Sequence, residues 1–596
     1  MPDSNKPESL LVADIGSVST KVGLVDFVSG DFRFIAAGNS ITTSDPPLSD
    51  IVVGVRSAIR QIEARTERRL LTDDGQLISP ERSGGQGVDA FVAITSAPAP
   101  LRVAVVGLSR EISLASAIRA VESTHATVEV TLALDDSGGR WLPVKTQMSE
   151  ASDKKTSATT LQDPAVIAAE LLAAAQVDVI VLVGGIDGGA TTALYDITNL
   201  ISSIVSSRDE NVRPTVIFAG NAEARPQIAN RIGNLTPLRV VDNVRPSLDT
   251  ENLAPLQHEL EVVYAEKKVA WLPGLNALSS WTPNIVMRTS NAFENVVRFL
   301  ARRHGLNVLG ADLGGIWTTV VAARNGTCTS TVRAGWGIGP SLGNVIRRVG
   351  IERLMDWVPL DLSAEEANTR WLNKAFHPWS IPITREDSEL MQAAARVALA
   401  KAASEVDVHG LDLILLSGGM FSHTTNLGAL ALLALDALQP RGIFTLATDS
   451  FGLAAAFGGL AAVNPDAAAS VIERDGFATL GTVIAPVSKN RAGQVDLRVR
   501  VQPSGAGAIE LEVEHGSLEL VPLTQGQKAS IEVRPSRGVD LAAAKGGVFK
   551  AEIEGGALGL IIDARGRPIV LPSNAEARRT QVQKWYWDVG GEMTNA

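Results

Sequence analysis

Cysteine is almost absent from this 596-residue chain, Cys328 being the only one. That excludes an intrachain disulfide and any cysteine-based metal site. Histidine is scarce too: seven residues with no H-E-x-x-H or similar ligand spacing, so each reads as structural. There is no excess of base. Lys and Arg number 54 against 65 Asp and Glu, a net charge of −11. Binding to nucleic acid needs the opposite, a clustered basic surface. Long apolar runs are missing as well. The stretches 165–172 and 427–438 are interrupted by Glu170, Asp178 and Asp436 before a bilayer could be spanned. The first ten residues are polar, without a cationic-then-apolar leader, and a cytoplasmic protein is expected. Neither a Walker A loop nor a G-x-S-x-G nucleophile elbow occurs.

What remains is an ordinary globular composition, 45% apolar and 20% charged, long enough for two to four domains. Within it one signature occurs twice. Residues 12–23 read V-A-D-I-G-S-V-S-T-K-V-G and residues 310–321 read G-A-D-L-G-G-I-W-T-T-V-V. They share Ala13/Ala311, Asp14/Asp312, Gly16/Gly314, Thr20/Thr318 and Val22/Val320. Each is a short apolar strand ending in Asp-x-Gly, a small-residue turn with a hydroxyl, and a second strand. Such a turn can wrap backbone N–H groups around phosphate while its acid stands near Mg²⁺.

In the first copy Gly16 permits close backbone approach. Ser17, Ser19 and Thr20 offer hydroxyls to phosphate oxygens, Asp14 can hold Mg²⁺ through water, and Lys21 adds charge. The second copy keeps Asp312, Gly314, Gly315, Thr318 and Thr319 but has no lysine, and Trp317 replaces a small residue. An ordinary hairpin would also choose Gly and Ser; the repetition favours a two-lobed nucleotide cleft. Ser417-Gly418-Gly419 follows a buried strand and fits an adenosine-contacting turn, although a strand followed by Gly-Gly is often only a tight turn. Asp187, inside G-G-I-D-G-G at 184–189, is either a ligand residue or a turn-stabilising acid. D-V-H-G-L-D at 407–412 begins like the D-x-H-x-x-G of cobalamin-binding modules, but Asp412 stands in place of its last glycine and no cobalamin site is expected.

The pattern along the chain is α/β. Strands are expected at 10–14, 22–27 and 32–37, with a turn at 29–31, then a helix over 50–64 capped by Asp50. Residues 90–96 and 101–107 read as paired strands joined by Ala97-Pro98-Ala99-Pro100. Buried strands at 177–183, 216–219 and 413–416 each run into a Gly-containing turn. Alternating strands at 495–501, 509–514, 530–533, 548–553, 558–563 and 569–571 form a small antiparallel β region. A terminal helix over 576–587 packs its Trp585-Tyr586-Trp587 cluster on that region. Three domains are expected: 1–305, a first lobe with insertions; 306–476, a second lobe; and 477–596, a C-terminal β-rich domain.

The order of an Asp-Gly turn at Asp14, another at Asp312 and a Gly-Gly turn at Gly418 resembles the actin, Hsp70 and sugar-kinase superfamily of ATPases. Within it the chain resembles the MutL (GlmL) family of glutamate-mutase-associated proteins, which are unrelated to the mismatch-repair protein of that name. L-L-V-A-D-I-G-S-V-S-T-K at 10–21, T-S-A-P-A-P-L-R-V-A-V-V-G-L at 95–108, V-G-G-I-D-G-G at 183–189 and A-D-L-G-G-I-W-T-T at 311–319 carry the resemblance. G-W-G-I-G-P-S-L-G at 335–343 and L-L-S-G-G at 415–419 also fit, and residues 8–470 are covered. Pro98 and Pro100 depart from the family's small residues and glycines, and Ile186 from its Thr.

The resemblance implies a two-lobed, ribonuclease H-like ATPase fold binding ATP and Mg²⁺. It also implies an accessory, chaperone-like or reactivating role toward an adenosylcobalamin-dependent mutase, with weak ATPase activity. Asp14 and Asp312 would organise metal and water, the Ser and Thr residues the phosphates, and Gly418 and Gly419 the adenosine. Two other readings stand beside it. One is a small-molecule kinase of the same superfamily, which needs an Asp base that no spacing singles out. The other is a non-catalytic scaffold with a decayed cleft, suggested by Trp317 and the missing second lysine.

Overall fold

The structure, a computed structural model, describes residues 6–134, 141–143, 172, 176–284, 286–541 and 547–590. All of the apolar run 165–172 except Leu172 lies outside them. The chain divides into two compact units: unit 1 comprises 1–97, 273–331 and 335–596, and unit 2 comprises 98–272 with 332–334.

Unit 1 opens with β1 (Ser9–Ile15), β2 (Ser19–Val28) and β3 (Asp31–Ile41), joined as antiparallel hairpins. Ser29 and Gly30 both hold positive φ (54° and 92°), the turn geometry that matches strand twist. The helix Ile51–Thr66 follows, Asp50 accepting from Val52 N as its cap. Next comes β4 (Ala90–Thr95), parallel to β1. Residues 10–13 are all fully buried, so β1 reads as a continuous apolar run rather than an alternating one.

After β4 the chain enters unit 2. There β5 (Leu101–Gly107), β6 (Ala126–Leu134), β7 (Trp141–Pro143), β8 (Val179–Val183), β9 (Thr215–Phe218) and β10 (Leu238–Val240) form one sheet, ordered β10-β9-β8-β5-β6-β7. All neighbours are parallel except the edge strand β7. The expected pairing of 90–96 with 101–107 does not form. The Ala-Pro-Ala-Pro link between those segments is a unit boundary, and β4 and β5 belong to different sheets.

Back in unit 1, β11 (Met287–Arg288) pairs with β4 and completes the sheet β3-β2-β1-β4-β11. The helix Thr289–His304 leads to β12 (Val308–Leu313), β13 (Trp317–Arg324), β14 (Thr327–Ala334, its last three residues grouped with unit 2), β15 (Leu413–Ser417), β16 (Gly442–Thr448) and β17 (Ala478–Ala485). Their sheet begins β14-β13-β12-β15-β16. Both sheets therefore repeat one topology, three antiparallel strands followed by two parallel ones in the order 3-2-1-4-5. This is the duplicated ribonuclease H-like lobe of the actin-like fold. The helices Thr289–His304 and Ala454–Leu460 share a core with β1, β4, β12 and β13, binding the two sheets together.

The C-terminal strands go two ways. Strands β19 (Val495–Pro503), β20 (Ile509–Glu514), β22 (Lys528–Pro535) and β24 (Phe549–Glu554) form an antiparallel sheet, and the short β18 (Val487–Ser488) and β23 (Val539–Asp540) pair separately. In contrast, β21 (Leu518–Val521) and β25 (Gly559–Asp563) extend the second lobe's sheet, β25 lying parallel to β17. Residues 569–571 form no strand. The helix Ala575–Asp588 buries Trp585 and Tyr586 in the second lobe's core, and Trp587 stays exposed. That seat is held by fully buried charges. Arg396 and Arg565 both donate to Asp436 at 2.7 Å, Arg565 and Arg567 donate to Asp563, and Arg396 donates to the Tyr586 hydroxyl at 3.2 Å.

Candidate functional site

Asp14 and Asp312 occupy the same place in the two repeats, one residue before the end of β1 and of β12. After each acid the chain turns back on itself: Gly16 N donates to Ser19 O at 3.0 Å and Gly314 N to Trp317 O at 2.9 Å. A Cβ on Gly16 would stand 2.8 Å from Ser19 O, so the turn needs its glycine. The two turns touch. A Cβ on Gly315 would lie 2.4 Å from Val18 Cγ2 and 3.1 Å from Ser17 Oγ.

Both acids are half-buried. Burial raises the Asp14 carboxyl to about 6, against the pull of Lys21 and of the Thr289 hydroxyl, which donates to Asp14 Oδ1 at 3.0 Å; Asp449 pushes upward. Burial, and then the charge of Asp14, lift Asp312 to about 7. Two converging carboxylates that resist ionising together are poised for a cation. The donor set fits Mg²⁺, which commonly takes one or two carboxylates and completes its shell with water and phosphate oxygens. Among the described residues no group of three or more His, Cys, Asp or Glu could hold a metal, so the remaining ligands would come from elsewhere.

Lys21 stands directly across the β1–β2 hairpin from Asp14 and is buried. Its ammonium donates to Gly452 O at 3.2 Å. Gly452 has φ +63°, and a Cβ there would lie 2.0 Å from Lys21 Nζ. Beside it, fully buried Asp449 accepts from Ser417 Oγ at 2.9 Å and from the N–H groups of Phe451, Leu453 and Ala454. It thereby caps the helix Ala454–Leu460 and fixes Ser417. Sequence reasoning missed both Asp449 and Thr289. For Asp449 the signal was an acid just ahead of an Ala-rich helical run; for Thr289 there was none.

The other expected residues separate into two groups. Asp14, Lys21, Asp312 and Gly418 converge: Gly418 has φ +104°, and a Cβ there would stand 2.7 Å from Asp312 Oδ1. A Cβ on Gly419 would meet nothing within 4 Å, so packing does not require that glycine. Ser17 and Ser19 sit half-buried on the first turn. Thr20 is fully buried, sharing a hydrogen with the Thr42 hydroxyl, which bonds Gly16 O. Thr318 is fully buried and donates to Trp336 O, while Thr319 lies opposite Asp312 in the β12–β13 register. Thr20, Thr318 and Ser417 engage the protein itself.

Trp317 is buried, and its indole N–H donates to Ser96 O at 2.9 Å, anchoring the second turn to the end of β4. In unit 2, Asp187 accepts from Ala222 N and Asn243 Nδ2, the bonds of a turn-stabilising acid. Asp407 likewise accepts from His409 N within a local turn.

A family model described as MutL protein matches residues 10–475. The Protein MutL of Clostridium tetanomorphum is 22% identical over 412 residues, spanning 66% of this chain and 77% of that protein. Among solved structures, a glycerol dehydratase reactivase aligns at 13% identity and TM-score 0.27, covering 76% of this chain and 99% of the other. The component A of the Acidaminococcus fermentans (R)-2-hydroxyglutaryl-CoA dehydratase aligns at 8% and 0.26, covering 77% and 99%.

Proposed function

The chain belongs to the MutL protein family, and from that premise and its paired acids we propose that it is an ATP-binding accessory protein. It takes Mg-ATP at Asp14 and Asp312 and acts as a chaperone-like or reactivating factor for an adenosylcobalamin-dependent mutase, with weak ATPase activity. The observation that carries this reading is the pair itself: two half-buried carboxyls, raised to about 6 and 7, at glycine turns that touch.

Asp14 and Asp312 hold the metal, and the Thr289 hydroxyl fixes the orientation of Asp14. Backbone and hydroxyls at Gly16, Ser17, Ser19, Gly314, Gly315 and Thr319 face the phosphates, Lys21 adds positive charge, and Gly418 and Gly419 leave room for the adenosine. When bound, Mg-ATP supplies a cleavable phosphoanhydride whose loss changes the charge between the turns. Because Gly315 and Val18 are in contact, a change in the turns' spacing moves the two lobes of unit 1 relative to one another, and a partner that prefers one spacing is remodelled.

Calorimetry of Mg-ATP binding to the full chain and to Asp14→Ala tests the site: micromolar-range affinity, lost in the variant, is expected. No binding to folded wild-type protein would sink this reading. Recovery of activity by an inactivated adenosylcobalamin-dependent mutase, measured with and without the chain and Mg-ATP, tests the partner.

A further inference from the structure

The second lobe carries an apolar surface that the nucleotide site does not use. The helix Ala364–Phe376 ends in a loop running to the cap of the helix Arg385–Ala402. On this short stretch Phe376 is 77% exposed, Trp379 56%, Ile381 54% and Ile383 96%. The loop is held in one shape. Lys374 Nζ donates to the carbonyls of Pro378 and Ser380, Ser380 N donates to His377 O, and the His377 ring sits edge-on to Trp379. An apolar patch of this size on a protein surface is often functional.

Size and charge choose the occupant. With aromatic side chains presenting about 150–250 Å² each, the four residues offer roughly 500–600 Å². A stable interface takes about 800 Å² per partner, so a permanent dimer of this chain is disfavoured and a transient contact fits. A membrane surface is disfavoured by charge. Glu386 and Asp387 follow the loop directly, and the cations there are engaged: Arg370 with Glu386 and Asp387, Arg385 with Glu389, and Lys374 with the loop's own carbonyls. Anionic lipid would meet acid rather than base.

The loop is also wired to the second turn. Gly315 O accepts from Gly339 N and Ser341 N, the helix Leu342–Val349 begins there, and that helix packs on the helix Ala364–Phe376. The second turn and the helix that ends at Phe376 are thus joined through one intervening helix.

We propose that Phe376, Trp379, Ile381 and Ile383 form the surface on which the partner enzyme docks transiently, through an uncharged apolar groove. This rests on the partner reading given above. The test uses the full chain and a purified adenosylcobalamin-dependent mutase in biolayer interferometry with Mg-ATP, comparing wild type with a Trp379→Ser/Ile383→Ser double variant. The expected result is at least tenfold weaker mutase binding with unchanged Mg-ATP affinity by calorimetry, the latter showing that the variant is folded. Equal mutase binding by both proteins overturns the surface and leaves the function standing; no binding by wild type overturns both. In parallel, sedimentation velocity showing a wild-type dimer that the variant loses would assign the patch to a second copy. Flotation of wild type but not variant with phosphatidylserine vesicles would assign it to lipid. Either result overturns the proposal.

Discussion

Replacing Asp312 by Asn tests the electrostatics of the site without any ligand. Asn keeps the shape and removes the charge. An acid whose folded-state pKa is raised binds its proton more tightly when folded, so folding stability falls as pH rises from the unfolded value through the folded one. For Asp312 that window runs from 3.8 to about 7. At 1.36 kcal/mol per pH unit the whole rise is worth about 4 kcal/mol. Solvent reaching the half-buried carboxyl screens part of it, leaving about 2–4 kcal/mol. In EDTA, Asp312→Asn is therefore expected to exceed wild type by about a third of that amount near pH 5 and by the whole of it near pH 8. Urea unfolding at the two pH values, followed by tryptophan fluorescence, reads the difference. A variant no more stable than wild type at pH 8 would refute the claim that the pair is strained in its ionised form.

Gly315→Ala should place a methyl 2.4 Å from Val18 Cγ2, part the two turns and weaken Mg-ATP binding at least tenfold in calorimetry. Asp563→Asn acts elsewhere. Against the cost of burial, Arg565 and Arg567 hold this carboxyl well below the usual range, so it stays ionised across the pH window in which the acid pair titrates. Neutralising it leaves two buried guanidinium groups short of a partner, at a cost of about 3–5 kcal/mol. Urea unfolding measures the loss, and it should be the same at pH 5 and pH 8.

Local signals in the sequence were translated faithfully. Asp50 caps its helix, Ser29-Gly30 makes the hairpin turn, and each buried apolar run before a glycine became a strand. Strand partnership was not legible. The segments 90–95 and 101–107 look like a hairpin, and only the packing of two separate cores sends them to different sheets. Likewise 478–485 and 559–563 read as part of a β-rich tail, yet they lengthen the second lobe's sheet, because β17 finds its partner in β16, some thirty residues earlier. At the site, Asp14 and Asp312 were visible through repetition. Thr289 reaches Asp14 across 275 residues of chain, and no local pattern encodes such a meeting.

The two copies of the signature differ at one position that decides what the site can bind. Across the hairpin from Asp14 stands Lys21; across from Asp312 stands Thr319. One lysine therefore serves two acids, and the ionised trio of Asp14, Asp312 and Lys21 carries a net charge of −1. Asp449, though close, is occupied by the Ser417 hydroxyl and three backbone N–H groups. A lone divalent cation would overshoot this balance and lose most of its hydration for two ligands. A lone triphosphate would meet two carboxylates and a single base. Together they would compensate, because the metal would neutralise the acids and the phosphates would complete the metal's shell. Calorimetry with Mg²⁺ alone, ATP in EDTA and the combination should thus show at least a hundredfold preference for the combination. ATP bound as tightly in EDTA as in magnesium would mean that Asp14 and Asp312 do not organise the metal.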